Sequence, residues 1–194
     1  NDVLDLARRD AQRIAVGKTG GARSTCQLSI NNTLVALAQS GKYVVRLKGG
    51  DPLVFARGGE ELRVLREHGI AFEIVPGITA AQGCAAYAGI ALTYRDHAQG
   101  IRLVTAHCQG LIDKLDWHAL TRGGETLVFY MAVAQAEQVQ MRLLQGGLAI
   151  DTPFAVVENG TRRQQRVLNG RLDDLSRAVA ESRVESPALL IVGA

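Results

Sequence analysis

The stretch Lys48-Gly49-Gly50-Asp51-Pro52 indicates an α/β fold, because it places paired glycines directly after a predicted strand. It follows Tyr43-Val44-Val45-Arg46-Leu47, a run of β-branched and apolar residues that predicts a strand. Paired glycines at the carboxyl end of a strand let the backbone approach a ligand closely, and ligands of open α/β sheets bind at that edge. A simple glycine-rich turn shows the same pattern, so the stretch alone leaves a turn and a ligand loop as alternatives.

Two further glycine-containing corners follow predicted strands in the same way. Residues 72–75 predict a strand that stops at Pro76-Gly77-Ile78-Thr79-Ala80. Residues 154–157 predict another, which ends at Glu158-Asn159-Gly160. Three such corners indicate one small-molecule pocket shared by two domains, although they do not identify the ligand.

Strands and helices alternate along the whole chain, and this alternation predicts an α/β fold built on parallel sheet and βαβ units. The polar, irregular stretch 92–100 predicts a boundary between an N-terminal α/β domain, residues 1–98, and a C-terminal α/β domain, residues 99–194. Helices are predicted at 28–40, 60–68, 79–88, 134–145 and 172–180, and further strands at 13–16, 102–105, 126–130 and 189–192, with an extended segment at 166–168.

The two ends of the chain also carry an expectation. Residues 1–9 predict a helix with no strand before it, so we expect a first strand and its loop to be missing from this chain. The second domain is expected to lack its last residues.

Composition excludes several classes of protein. The 194 residues are 47% hydrophobic and 21% charged, with a net charge of +3. That charge is too small for the basic stripe of a nucleic-acid binder. No stretch of sequence is apolar enough to span a bilayer, so we expect a cytoplasmic protein with no membrane partner. The three cysteines and four histidines show no metal-ligand spacing, so no metal site is expected.

Gly17-Lys18-Thr19 resembles the end of a phosphate-binding P-loop, but Gln12 stands where that loop needs its first glycine. Nucleotide hydrolysis is therefore disfavoured. The chain contains no G-x-G-x-x-G dinucleotide fingerprint and no G-x-S-x-G nucleophile elbow.

Residues 45–52 followed by 55–61 resemble the signature of the uroporphyrinogen-III C-methyltransferases, within the tetrapyrrole methylase family. The resemblance covers essentially the whole chain. The other matching segments follow in the family's order: 75–80, 92–96, 102–107, 128–131, 157–161 and 185–193. The family's Gly-Pro-Gly-Asp loop and the strand with a proton-accepting aspartate are not in this sequence.

The resemblance implies two α/β domains with the cofactor in the cleft between them, in a homodimer. It implies S-adenosylmethionine as methyl donor, S-adenosylhomocysteine as product, and a tetrapyrrole substrate. The implied reaction methylates uroporphyrinogen III to precorrin-2 through precorrin-1, toward sirohaem or cobalamin. Another precorrin methyltransferase of the same fold, or a ligand-binding remnant without activity, are the alternatives.

The resemblance also assigns residues. Lys18 falls where the family has a lysine of proton transfer. The implied cofactor contacts are Gly49, Gly50, Asp51, Val54, Thr79, Ala80, Met131 and Gly160. Because arginine grips carboxylates in a bidentate manner and the implied substrate carries many, Arg46, Arg57 and Arg95 are candidate anchors, with a structural role as the alternative for each.

Overall fold

The computed structural model describes residues 2–17, 25–107 and 109–193. The chain forms two compact units. The first comprises Asn1–Lys48 and Arg57–Val75, and the second comprises Gly49–Ala56 and Pro76–Ala194. This division follows contacts within each unit and leaves the domain boundary between residues 98 and 99 a prediction.

The first unit contains two α-helices, among its described residues, whose ends the sequence predicts within two residues, whereas the helix predicted at residues 1–9 is a shorter 3-10 helix. Helix α1 spans Gln27–Gln39 and α2 spans Gly58–Glu67, and a short 3-10 helix lies at Asp2–Leu6. The Cys26 sulfur accepts a hydrogen bond from the Ser29 amide at the start of α1. Both helices stop shortly before a glycine with positive φ, Gly41 at 77° and Gly69 at 64°, as helix C-termini commonly do.

Three strands predicted in the first unit are wrong. Residues 13–16, 43–47 and 72–75 form no strand in the structure. A strand needs a partner with which to exchange hydrogen bonds, and no ladder joins these segments in the described part of the unit. The side chain of Tyr43 is 89% exposed, so the apolar run at 43–47 does not mark a buried strand.

The second unit is built on a sheet whose strands are ordered β1-β2-β5-β3-β4. The strands are β1 Gly100–Thr105, β2 Glu125–Tyr130, β3 Pro153–Glu158, β4 Arg166–Arg171 and β5 Ala188–Val192. Strands β1 and β2 are parallel, as predicted, but the β2–β5, β5–β3 and β3–β4 pairs are antiparallel. The sheet is therefore mixed. Residues 159–165, between β3 and β4, are too few for a crossover between parallel strands, so these two strands form a hairpin.

Helices pack on both faces of this sheet. They are α3 Ala80–Ala88, α4 Gln109–Ile112, α5 Trp117–Leu120, α6 Ala136–Gln145 and α7 Leu175–Glu181, with 3-10 turns at Val133–Gln135 and Leu172–Asp174. Alternate residues of β2 enter different cores. Leu127 and Phe129 join the core under α6 and α7, whereas Val128 and Tyr130 join the core under α3. The second unit is thus an α/β/α layered structure.

Within the part of the chain that the structure describes, no helix combines the length and the apolar character needed to cross a membrane.

Glu158, the last residue of β3, ties three segments of the second unit together. Its side chain is only 6% exposed. One carboxylate oxygen accepts from the Arg166 guanidinium on β4, and the other accepts from the Glu185 amide at 2.8 Å. These two donors, Arg166 first, hold the pKa of the Glu158 carboxyl below its ordinary value. The folded state therefore favours the charged form.

We expect Glu158→Gln to destabilise the protein at pH 7 by about 1.5 kcal/mol, the lower end for hydrogen bonds to charged groups, because Arg166 is half exposed. A carboxyl with a lowered pKa stabilises the folded state above its ordinary value of about 4.5 and loses that contribution as the pH falls. The difference between variant and wild type should therefore shrink below about pH 4.5. Denaturant unfolding between pH 3 and 8 measures it.

Glu73→Gln is the matched control, because Glu73 is exposed and makes no ion pair among the described residues. A Glu158→Gln deficit that stays constant down to pH 3 would contradict this role for the carboxylate.

Candidate active site

The segment Gly49–Ala56 opens with a turn that only glycine adopts easily. Gly50 has a φ of 74°, in the left-handed region. The next residue, Asp51, closes the turn on itself, because its Oδ1 accepts from the Leu53 amide at 2.8 Å. Asp51 therefore has a local structural task in addition to any contact with a ligand.

The second corner lies directly against this turn. A Cβ atom built on Gly77 would lie 2.2 Å from the Gly50 carbonyl oxygen, so the two backbones meet where no side chain fits. Asp51 Oδ2 also accepts from the Gly77 amide at 3.3 Å. A Cβ atom on Gly50 would lie 3.6 Å from the Ile78 carbonyl oxygen and 3.9 Å from the Ala80 nitrogen. The structure thus brings the first two predicted corners together.

Tyr130, which the sequence did not predict as a site residue, joins both corners to the sheet. Its hydroxyl lies 2.6 Å from Thr79 Oγ1 and accepts from the Ala81 amide at 2.9 Å. Its ring lies 4.8 Å from the ring of Phe55, centroid to centroid. A tyrosine at the carboxyl end of a buried strand, one residue before Met131, was the signal that could have identified it.

The third corner lies against the middle of α3. A Cβ atom built on Gly160 would lie 2.3 Å from Cys84 Sγ, so packing alone requires a glycine there. The neighbouring residues Asn159 and Thr161 have φ values of 49° and 66°. The Thr161 amide donates to Gln165 Oε1 at 2.7 Å, which fixes this strained corner.

The remaining predicted contact residues take different positions in the second unit. Val54 is half-buried against the core that includes Cys84. Met131 has a φ of 57° and is 44% exposed directly after β2. Gly49 and Ala80 are exposed, and a Cβ atom on Gly49 would meet nothing within 4 Å. All eight predicted cofactor residues belong to one compact unit.

In the first unit, two adjacent glutamates of α2 hold the residues that flank the segment Gly49–Ala56. Lys48 Nζ lies 2.9 Å from Glu61 Oε2, and both side chains are at least nine-tenths buried. Arg57 makes two hydrogen bonds of 2.7 Å to Glu60. These bonds raise the pKa of Arg57 and lower the pKa of Glu60. Lys48 and Arg57 are therefore both paired with α2 within the first unit.

These contacts also settle where two of the candidate substrate anchors lie. Arg46 Nε donates to Glu61 Oε1 at 3.3 Å, and Arg57 is engaged by Glu60. Both guanidiniums therefore have structural partners. Arg95 is exposed in the turn that the Tyr94–Ala98 bridge closes, and it makes no ion pair within the described ranges.

Lys18, Cys84 and possible metal ligands bear on proton transfer, nucleophilic chemistry and metal binding. Lys18 lies outside the described residues. Cys84 is buried, and burial raises the pKa of its thiol, which disfavours a nucleophilic role. Among the residues that the structure describes, no group of three or more His, Cys, Asp or Glu could hold a metal ion.

Comparison with known proteins places this geometry in a family. The model of the Tetrapyrrole (Corrin/Porphyrin) Methylases matches residues 1–176. The chain belongs to the tetrapyrrole methylases. This result confirms the predicted α/β family and the resemblance that rests on the glycine corners.

Siroheme synthases are among the curated relatives of this tetrapyrrole methylase. The chain is 56% identical to that of Xylella fastidiosa (strain M12) over 191 residues, which are 98% of this chain and 40% of the relative. It is also 56% identical to that of Edwardsiella ictaluri (strain 93-146) over 193 residues, with 41% of the relative covered. The chain thus spans about two fifths of the length of these relatives.

Solved structures of tetrapyrrole methylases share the fold. The uroporphyrin-III C-methyl transferase of Thermus thermophilus, complexed with S-adenyl homocysteine, is 36% identical with a TM-score of 0.72, over 86% of this chain and 73% of that one. A cobalt precorrin-4 methyltransferase reaches a TM-score of 0.86 over 99% of this chain and 78% of that one. Its identity is 24%, so it supports the fold alone.

We expect Gly77→Ala to disrupt the junction of the two corners, because its methyl group would collide with the Gly50 backbone. Overpacking of this kind typically costs about 1–3 kcal/mol, and the corner would move. Both the midpoint of thermal unfolding and the affinity for S-adenosylhomocysteine should fall, as calorimetry measures.

Gly49→Ala is the matched control, since its methyl group meets open space. It should leave the unfolding midpoint unchanged, so any loss of affinity reports on approach of the ligand. A Gly77→Ala protein with unchanged stability and affinity would contradict the junction's importance.

Proposed function

We propose that this chain catalyses the S-adenosylmethionine-dependent C-methylation of uroporphyrinogen III to precorrin-2, through precorrin-1. Three findings support this proposal: membership of the tetrapyrrole methylases, 56% identity to siroheme synthases, and 36% identity to a uroporphyrin-III C-methyl transferase. The siroheme synthases favour sirohaem as the destination of the product over cobalamin.

The single observation that carries the cofactor assignment is the junction of Gly50 with Gly77. Two corners meet at glycines beside the start of α3. There the Ala80 amide, at the first position of the helix, has no carbonyl group in its own helix to which it could donate. Exposed backbone donors and open space at Gly49 suit a ligand rich in acceptor atoms. The residues proposed to hold the cofactor are Gly49, Gly50, Asp51, Val54, Thr79, Ala80, Met131 and Gly160.

When bound, S-adenosylmethionine supplies an electrophilic methyl group. The tasks that remain for the chain are alignment, exclusion of water and control of protons. Alignment of two reactants can lower a barrier by about 7–11 kcal/mol in favourable cases. The segment Gly49–Ala56 suits that task, because Asp51 closes its turn and a preorganised loop loses little entropy when a ligand binds. Arg95, exposed and without an ion pair among the described residues, is the proposed anchor for a substrate carboxylate.

Further parts of the proposal extend to the whole protein. We propose that it is a cytoplasmic homodimer and that residues 1–98 and 99–194 act as its two domains. A later precorrin as substrate is the alternative, and an assay that offers both substrates distinguishes the two.

The cofactor assignment predicts selective binding. Titration calorimetry on the full-length protein should show binding of S-adenosylhomocysteine and no binding of ATP or NAD. With uroporphyrinogen III and labelled S-adenosylmethionine, the protein should form precorrin-2. Binding of ATP without binding of S-adenosylhomocysteine would refute the proposed function.

Lys18 is proposed to transfer a proton during the reaction. Lys18→Met should then lower turnover by about 10²–10⁴-fold, the usual contribution of a positioned acid or base, while the affinity for S-adenosylhomocysteine stays the same. Lys42→Met, at an exposed lysine after α1, is the control. A fully active Lys18→Met protein would show that Lys18 takes no part in proton transfer.

A further inference from the structure

The hydroxyl of Tyr130 lies between two partners in a nearly buried position. Tyr130 is 9% exposed, its Oη accepts from the Ala81 amide at 2.9 Å, and it lies 2.6 Å from Thr79 Oγ1. Ala81 is on the first turn of α3 and Thr79 is its N-cap residue. One phenol oxygen therefore serves both the helix and the residue that begins it.

This arrangement frees Thr79 from the ordinary task of an N-cap residue. A capping threonine usually accepts a hydrogen bond from an amide two or three positions into its own helix. The Thr79 side chain makes no such bond. Tyr130, from the end of β2, accepts the Ala81 amide instead, so the Thr79 hydroxyl is available for another use.

Counting protons gives the direction of the bond between the two hydroxyls. An amide can only donate, so Tyr130 Oη is the acceptor toward Ala81. Tyr130 has one proton, and its only other hydrogen-bond contact in the described structure is Thr79. If Thr79 donated, the phenol proton would stay unpaired in a buried position, which is unfavourable. A phenol is also the more acidic hydroxyl. Tyr130 therefore donates to Thr79 Oγ1.

We propose that Tyr130 is a positioning residue that makes Thr79 a hydrogen-bond donor toward an acceptor atom of the S-adenosyl cofactor. With its oxygen occupied by the Tyr130 proton, Thr79 has its own proton left to donate. Thr79 is half-exposed beside the Gly50–Gly77 junction, so this proton can reach a ligand there. The inference rests on the proposed function, because it takes the cofactor as the ligand of this corner.

The ring of Tyr130 holds the hydroxyl in place. It packs 4.8 Å from Phe55, which has a φ of 51° in the segment Gly49–Ala56. Tyr130→Phe keeps this ring contact and removes only the hydroxyl, so it isolates the proposed effect. Tyr87→Phe is the matched control, because Tyr87 lies on α3, whose first turn Tyr130 contacts, and its side chain is 71% exposed.

The test is a double-mutant cycle in the full-length protein. The Kd for S-adenosylhomocysteine is measured by titration calorimetry for wild type, Tyr130→Phe, Thr79→Val, the double variant and Tyr87→Phe, with an unfolding midpoint for each. We expect each single variant to raise the Kd about threefold to tenfold, as loss of one hydrogen bond does. The double variant should bind no more weakly than the weaker single variant. The KM for S-adenosylmethionine should rise with kcat nearly unchanged.

The outcomes separate this inference from the proposed function. Absence of binding by the wild type would refute the proposed function itself. If the wild type binds and Tyr130→Phe binds equally well, or if the two single losses simply add, the positioning role is wrong and the function stands. Should Tyr130→Phe fail to fold, Thr79→Ser against Thr79→Val decides. Weaker binding by the valine variant alone supports the donor, and equal Kd values overturn it.

Discussion

The candidate site depends on one contact between two backbones, that of the Gly50 carbonyl with Gly77. With no room for a Cβ atom at Gly77, the turn after Lys48 and the turn before α3 can approach as closely as main chains allow. Asp51 strengthens the contact by accepting an amide from each turn. The start of α3 and the segment Gly49–Ala56 are therefore positioned together, and the candidate site is assembled from main chain more than from side chains.

Tyr130, at the end of β2, connects the sheet to this junction. Residues of β2 alternate between two cores, so the last residue of the strand faces the same core as α3. The hydroxyl then reaches the helix start while the ring reaches Phe55. A buried polar atom whose hydrogen-bond partners are all present favours one arrangement of the surrounding elements, because moving any of them would leave that atom without a partner. The rigidity of the core is in this way transmitted to an exposed corner.

What the sequence could predict follows from the range of the interactions involved. Helix ends depend on local sequence: Gly41 and Gly69 follow the ends of α1 and α2, and both have the positive φ that glycine commonly adopts after a helix. Strand pairing is not local: the run at residues 43–47 resembles a strand in sequence, yet it pairs with no other strand among the described residues. Tyr130 and Thr79 are 51 positions apart, so no window of sequence contains both. The family resemblance suggested which residues to consider for the candidate site, but it could not supply the contact between Tyr130 and Thr79.

The glycines of the three corners show why one residue type can answer different constraints. Gly50 is required by its φ, and Gly77 by the backbone opposite it. Gly160 is required by the sulfur of Cys84, a side chain that could itself change size. The first two constraints are fixed by the main chain, so no substitution elsewhere relieves them. The third is reciprocal, because a smaller residue at position 84 would open the space that a Cβ atom at position 160 needs. Gly160, which looks functional in sequence, is therefore also required for packing, because its Cα lies against the buried side chain of Cys84.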